Sequence, residues 1–189
     1  MENPMLKRMI VSALTIVMTA FVLIGCGGPP EQEIAKAKAA AKKASEAKAA
    51  DYASESFAKA EAKMKEADGL VAKKEWDKSK AAYVEAEKLY NEAATAAPAG
   101  MEQVKTSTDD FIKNCETAWT KNEKAMMAAA GKLKAADKKE VETTYAGCKA
   151  KLEEAKKQFA AGDYKASRAT ADEAAMMYGK INEKLTAKK

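Results

Sequence analysis

Two stretches of this sequence align without a gap at a spacing of 88 residues, and their pattern decides the fold. Residues 62–93 read AKMKEADGLVAKKEWDKSKAAYVEAEKLYNEA, and residues 150–181 read AKLEEAKKQFAAGDYKASRATADEAAMMYGKI. Low complexity accounts for many alanine and lysine matches, but it does not account for the aromatic ones. The aligned aromatic pairs are Tyr90 with Tyr178, Trp76 with Tyr164, and Phe57 with Tyr145. The spacing therefore predicts an internal duplication.

The part of the chain after Pro30 is predicted to be all-α. It is rich in Ala, Lys, Glu, Met and Leu, which are strong helix formers, and it contains no run of β-branched residues. We expect two tandem three-helix units, residues 31–97 and 101–187, each built as an antiparallel bundle of helical hairpins.

Stop signals divide each predicted unit into helices. In the first unit we expect helices over residues 31–50, 54–72 and 77–96, with a joint at Asp51 and a break at Pro98 and Gly100. In the second unit we expect a helix over residues 101–130 that ends near Gly131. Asp137 with Glu140 three residues later predicts a capping box at the start of the next helix, which closes at 161–163. Asp163 can cap the last helix, which runs to about residue 185.

The corners KKEWDKSKAA and AAGDYKASRA place an aromatic residue, Trp76 or Tyr164, at the start of a helix. An acidic or neighbouring polar group caps the incoming helix, the aromatic ring fills the joint, and the following alanines let the helices pack closely. Such corners resemble those of tetratricopeptide hairpins, although the 34-residue period is missing. We interpret the Tyr, Trp, Met and Leu stripe as core and not as a ligand cage.

Composition argues against nucleic-acid binding and lowers the expectation of catalysis. The chain has 33 Lys and Arg, 28 Asp and Glu, and a formal net charge of +5. Arg8 and Arg168 are its only arginines, and lysines alternating with glutamates are typical of solvated helix faces. No histidine is present, so the commonest general base and metal ligand is missing. We expect no catalytic residue, no metal site and no nucleic-acid partner.

The amino-terminal residues carry the parts of an export signal. Lys7 and Arg8 precede the uncharged run at residues 10–25, whose last three residues form the sequence Leu23-Ile24-Gly25-Cys26 together with the cysteine that follows. These four residues resemble the lipobox of bacterial lipoproteins. The resemblance implies cleavage after Gly25, diacylglycerol on the Cys26 sulfur and an acyl chain on the new amino terminus, with no other cofactor. An uncleaved signal anchor and an ordinary signal with a chance cysteine are the alternatives.

The residues after Cys26 predict where the protein is anchored. Gly27 and Gly28 leave no Asp at the second mature position, which by resemblance to enterobacterial sorting rules favours the outer membrane. Residues 26–30 thus form a lipidated cysteine and a short tether that ends in Pro29 and Pro30. We expect a lipoprotein of the bacterial cell envelope that faces the periplasm.

Cys115 and Cys148 remain as an even pair once Cys26 is lipidated. In an exported protein such a pair indicates a disulfide. Their midpoint, 131.5, lies beside Gly131, where the helical hairpin is expected to turn. The sequence therefore predicts a Cys115–Cys148 disulfide, with two free buried thiols as the alternative; a metal site is not expected without His or a CxxC spacing.

Residues 34–96 resemble the uncharacterised alanine-rich helical domain of proteobacterial outer-membrane lipoproteins, which sometimes precedes an OmpA-like domain. The residues that carry the resemblance are Ile34, the spaced alanines, 52–56 (YASES), 59–61 (KAE) and Trp76. The proline usual near Tyr52 in that family is absent. The resemblance implies an envelope protein and carries over no catalytic residue.

Three functions are open from the sequence. The leading hypothesis is a membrane-anchored lipoprotein whose periplasmic helical module binds or spaces an envelope protein, the cell wall or a second copy. The second is a small-ligand or enzyme-accessory protein that uses a groove between the two units, with the pairs Asp109–Asp110 and Glu140–Glu142 as the only carboxylate clusters considered. The third is adsorption to anionic surfaces through the lysine-rich first helix, with Lys36, Lys38, Lys42 and Lys43.

Overall fold

The computed structural model describes residues 28–187, and within that range every regular element is an α-helix. The all-α prediction is therefore confirmed. The helices are α1 (Glu31–Glu46), α2 (Ala49–Tyr52), α3 (Ser54–Ala72), α4 (Trp76–Ala130), α5 (Ala135–Ala160) and α6 (Tyr164–Thr186). The chain divides into two compact units, of which the first ends at Thr95 and the second begins at Ala96.

The predicted helix break at Pro98 and Gly100 is wrong. Helix α4 runs for 55 residues with Pro98 inside it, and the boundary between the units also falls within this helix. A proline in a helix interior costs about 3 kcal/mol because it lacks an N–H and crowds the carbonyl four residues earlier. Alanine-rich flanks offset that cost here, since Ala93, Ala94 and Ala97 are strong helix formers that are also buried.

The joint between the first two predicted helices is longer than expected. Helix α1 ends at Glu46, and Lys48 adopts a left-handed conformation with φ of 56°. The single turn of α2 and the non-helical Ala53 then precede α3, which has the predicted bounds of 54–72.

Alanine dominates the core of the first unit. Buried Ala37, Ala67 and Ala82 surround Tyr83, and the partly buried side chains against this cluster are Ile34, Met64, Leu70 and Val71. The Tyr83 hydroxyl donates a hydrogen bond to an Asp68 carboxylate oxygen at 2.5 Å. Burial, with the Asp68 charge added, raises the pKa of Tyr83 to about 12. The phenol therefore stays neutral at physiological pH.

The core of the second unit is built around aromatic rings and larger aliphatic side chains. Trp119 of α4 stacks on Tyr178 of α6, with ring centroids 4.9 Å apart and planes 12° apart. The Ser167 hydroxyl, fully buried, donates to the Ala155 carbonyl at 2.7 Å and ties α6 to α5. The other buried side chains of this core include Ile112, Met126, Val141, Tyr145, Leu152 and Ile181.

Several contacts in one unit have a counterpart 88 residues later in the other. The Phe57–Tyr90 ring pair, with centroids 5.6 Å apart, corresponds to Tyr145–Tyr178 at 6.2 Å. The Lys63–Glu85 ion pair at 3.2 Å corresponds to Lys151–Glu173 at 2.6 Å. In the first unit these contacts join α3 to α4, and in the second unit they join α5 to α6.

The two corner turns also share one hydrogen-bond pattern. The N–H of Glu75 donates to the Leu70 carbonyl at 3.0 Å, and the N–H of Asp163 donates to the Gln158 carbonyl at 3.0 Å. These are the six-to-one bonds of a Schellman motif. The residue before each donor is left-handed: Lys74 has φ of 59° and Gly162 has φ of 81°.

The lysine in the first turn predicts a stabilising substitution. A left-handed conformation costs a residue with a Cβ roughly 1–2 kcal/mol, whereas glycine adopts it freely. We therefore expect Lys74→Gly to raise the free energy of unfolding by about 1 kcal/mol, measured by urea denaturation. The matched variant Gly162→Lys should lower it by about the same amount. An unchanged or lowered stability of Lys74→Gly would contradict this reading of the turn.

Candidate functional site

The predicted lipobox residues Leu23, Ile24, Gly25 and Cys26 lie outside the described residues. The described chain starts at Gly28, passes through Pro29 and Pro30, and enters α1 at Glu31. Pro30 is buried, and its carbonyl accepts a hydrogen bond from the N–H of Ile34 at 2.9 Å. The segment that would carry the tether is therefore packed onto the first helix from Pro30 onwards.

A cleft of about 460 Å³ lies where this segment meets the start of α4. Residues 28–33 line one side, and Trp76, Asp77 and Lys80 line the other. Lys80 pairs with Glu33 across the cleft at 3.2 Å. A hydrogen bond from its own backbone N–H lowers the pKa of the Glu33 carboxyl, and Lys80 lowers it further. The predicted corner residue Trp76 is thus placed beside the amino-terminal segment.

The second predicted corner residue, Tyr164, fills the joint between α5 and α6. Its ring packs on Phe159 with centroids 5.1 Å apart. An Asp163 carboxylate oxygen accepts a hydrogen bond from the N–H of Ala166 at 3.2 Å, so the predicted cap on α6 is confirmed. Tyr164 has a structural role at this position.

The capping box predicted at Asp137 and Glu140 is wrong. Helix α5 begins two residues earlier, at Ala135, and its N-cap Lys134 makes no side-chain capping bond. Asp137 and Glu140 instead both pair with Lys184 of α6. Their carboxylates therefore connect α5 to α6 and do not cap the start of α5.

The predicted Cys115–Cys148 disulfide is absent from the structure. Both cysteines are free and buried, and their thiols are not within disulfide distance. The hairpin register explains the difference: Glu116, next to Cys115, pairs with Lys156, which lies eight residues, or about two turns, beyond Cys148 on α5. Burial raises the pKa of Cys148 to about 11 and also raises that of Cys115. At neutral pH both are protonated core thiols, which are poor nucleophiles.

A smaller cleft in the second unit escaped the sequence analysis. It encloses about 200 Å³ between α4 and α5, and its floor is formed by Trp119, Tyr145 and Leu152. The Tyr145 hydroxyl is buried and makes no hydrogen bond, while Lys149 Nζ lies 4.6 Å from the centre of the same ring. Trp119 has no aromatic counterpart 88 residues earlier, so the repeat did not single it out. Its only signal in the sequence was a tryptophan inside an alanine-rich helix.

Charged side chains at the rim of this cleft are already paired. Lys149 contacts Glu123 at 2.7 Å, and Lys156 contacts both Glu116 at 2.5 Å and Glu153 at 2.9 Å. No cysteine lines the cleft, and its acids contact lysines instead of one another. The arrangement offers an apolar floor with one unused hydroxyl, and it offers no pair of groups arranged for proton transfer.

The carboxylate pairs considered from the sequence lie on the surface. Asp109 pairs with Lys113 at 2.5 Å, and Glu142 faces Lys138 at 3.8 Å. Asp110 lines a wide, open groove of about 610 Å³ on α4, together with Glu102 and Gln103, and neither Glu140 nor Glu142 lines that groove or the two clefts described above. The side chains of Lys36, Lys38, Lys42 and Lys43 are exposed along α1, as expected for a solvated helix face.

Residues 28–187 contain no cluster of three or more Cys, Asp or Glu side chains that could hold a metal ion. Within the same residues, no helix combines the length and the apolar character needed to cross a bilayer.

Comparison with protein-family models, with curated proteins and with solved structures gives no match to this chain.

Proposed function

We propose that this chain is a lipid-anchored protein of the bacterial envelope, whose helical units form a non-catalytic module that binds or spaces a partner. The observation that carries the proposal is the sequence Leu23-Ile24-Gly25-Cys26 at the end of an uncharged run that follows a basic start. The burial of Pro30 at the start of α1 supports it, because the helical part then begins at Glu31, five residues after the modified cysteine.

The buried state of the other two cysteines supports Cys26 as the lipidated one. Cys148 is fully buried and Cys115 is 9% exposed, so neither thiol is presented to a membrane-bound transferase. Each methylene group of an acyl chain placed in the bilayer contributes about 0.8 kcal/mol, and two or three chains hold a protein there firmly. We place the module at the periplasmic face of the outer membrane.

We also infer that the two units are copies of one three-helix module. The ring pairs, ion pairs and turn geometry that recur at a spacing of 88 residues support this inference. A duplicated module without its own catalytic groups suits a protein that presents similar helical surfaces twice. Its partner would be another envelope protein, the cell wall or a second copy of the chain.

Metabolic labelling with palmitate tests the anchor. The wild-type chain should incorporate label, and its mature form should begin at Cys26. Cys26→Ser should lose the label and remain unprocessed, because the oxygen cannot form the thioether that cleavage requires. The matched control Cys115→Ser removes a buried thiol and should keep full labelling. Label that persists in Cys26→Ser, or a mature amino terminus at another residue, would overturn the proposed function.

A further inference from the structure

The end of the first unit beside Gly28 combines features suited to a membrane surface. The cleft there brings residues 28–33 next to Trp76 and Lys80. The turn that precedes Trp76 exposes Lys73 and Lys74, the second of them in the left-handed position of the Schellman motif. We call the surface formed by Pro29, Lys73, Lys74 and Trp76 the anchor-side surface.

Covalent geometry keeps this surface close to a lipidated Cys26. Gly28 follows Cys26 by two positions, with only Gly27 between them, and two extended residues span at most about 7 Å. Gly28 itself lines the cleft that Trp76 lines. A tether of this length holds a neighbouring surface at a high effective concentration near its target, so the surface needs little affinity of its own.

The side chains of the anchor-side surface match the headgroup layer of a bilayer. Tryptophan is enriched at that depth because its indole has an apolar body and one N–H donor. Lysine side chains lay their methylene groups along apolar surface and direct the ammonium towards phosphate. Trp76 is partly buried against the amino-terminal segment, which leaves part of its ring accessible.

Charge alone does not explain such docking. The acids at this end are Glu31, Glu33, Glu75 and Asp77, and the bases are Lys36, Lys73, Lys74, Lys78 and Lys80. Glu75 pairs with Lys78 at 2.5 Å and Glu33 pairs with Lys80 at 3.2 Å. Since these charges nearly balance, a docking surface here depends mainly on the indole and the tether, and salt should weaken the docking only slightly.

We propose that the anchor-side surface lies on the phospholipid headgroups of the membrane that holds Cys26, with the Trp76 indole in the interfacial layer. This inference rests on the proposed function, because the lipid on Cys26 brings the surface to the bilayer. It assigns Trp76 a contact with lipid in addition to its place at the corner, and it defines which end of the first unit faces the membrane.

Fluorescence quenching by spin-labelled lipid tests the proposal, because the chain contains only two tryptophans. The lipidated full-length protein is reconstituted into phosphatidylethanolamine–phosphatidylglycerol vesicles that carry a headgroup nitroxide. Trp119→Phe leaves Trp76 as the sole fluorophore, and the matched variant Trp76→Phe leaves Trp119, which is only 6% exposed. Trp76 emission should fall at least about twofold, as for an interfacial tryptophan, while Trp119 emission stays nearly unchanged.

The outcomes distinguish a failure of the proposed lipid anchor from a failure of the anchor-side surface. Palmitate-labelled protein in which Trp76 is quenched no more than Trp119 would overturn the docking surface and leave the anchor standing. Protein without label that does not float with the vesicles would overturn both. Quenching that disappears in 0.5 M salt, about a threefold shorter screening length than at 0.05 M, would show electrostatic adsorption and contradict the indole-based surface.

Discussion

Replacing Trp119 with alanine is expected to lower the free energy of unfolding of the second unit by about 3–5 kcal/mol. The indole is 6% exposed and stacks on Tyr178 at 4.9 Å. It also forms part of the floor of the cleft between α4 and α5. Because most neighbouring side chains belong to different helices, the space left by the indole cannot be refilled by one local shift.

Hydrogen exchange can show which helices lose stability in Trp119→Ala. Amides of α5 and α6 should exchange faster in Trp119→Ala, and the midpoint of the unfolding transition of that unit should fall. Trp76→Ala is the matched control, since Trp76 is only partly buried and should lose about 1–2 kcal/mol. Equal losses for the two variants would contradict the central packing role assigned to Trp119.

Replacing Pro98 with alanine should have a large effect of the opposite sign. Pro98 lies inside α4 with its side chain exposed, so the substitution removes no core contact. Alanine restores the N–H that can donate to the Ala94 carbonyl and relieves the crowding by the proline ring. We expect a gain of about 2–3 kcal/mol in the free energy of unfolding, measured by guanidinium denaturation.

Thr95→Ala provides the matched control for that gain. Thr95 is exposed in the same helix, and its hydroxyl donates to the Asn91 carbonyl at 2.8 Å. Its replacement should add only about 0.5 kcal/mol, the difference in helix propensity. If Pro98→Ala stabilised no more than Thr95→Ala, the continuous helix through Pro98 would be wrong.

The all-α fold class and the helix corners could be predicted because they depend on local chemistry. Alanine and lysine content fixed the all-α class, and α3 has the predicted bounds of 54–72. Asp163 caps α6 because the amide that its side chain accepts from, that of Ala166, is only three residues away. The continuation of α4 through Pro98 could not be predicted from helix propensity. Propensity describes an isolated helix, whereas burial of Ala94 and Ala97 stabilises this one.

The cysteine pairing could not be predicted because it depends on the register between two helices. The prediction pairs residues that are equally distant from the turn, and it therefore assumes that both helices start at the same level along the hairpin axis. The contacts of Glu116 with Lys156 and of Glu123 with Lys149 instead shift one helix along the other. The cleft at Tyr145 escaped the sequence analysis for the same reason, since it exists only where two faces from distant segments meet.

The alanine core of the first unit determines how the protein responds to temperature. Unfolding raises the heat capacity in proportion to the apolar area that it exposes. A buried methyl group contributes far less such area than a leucine or phenylalanine side chain, and three of the four buried residues in the cluster around Tyr83 are alanines, Ala37, Ala67 and Ala82. The enthalpy and entropy of unfolding of this unit should therefore vary little with temperature, which gives a broad, shallow stability curve and a module that tolerates both cooling and warming.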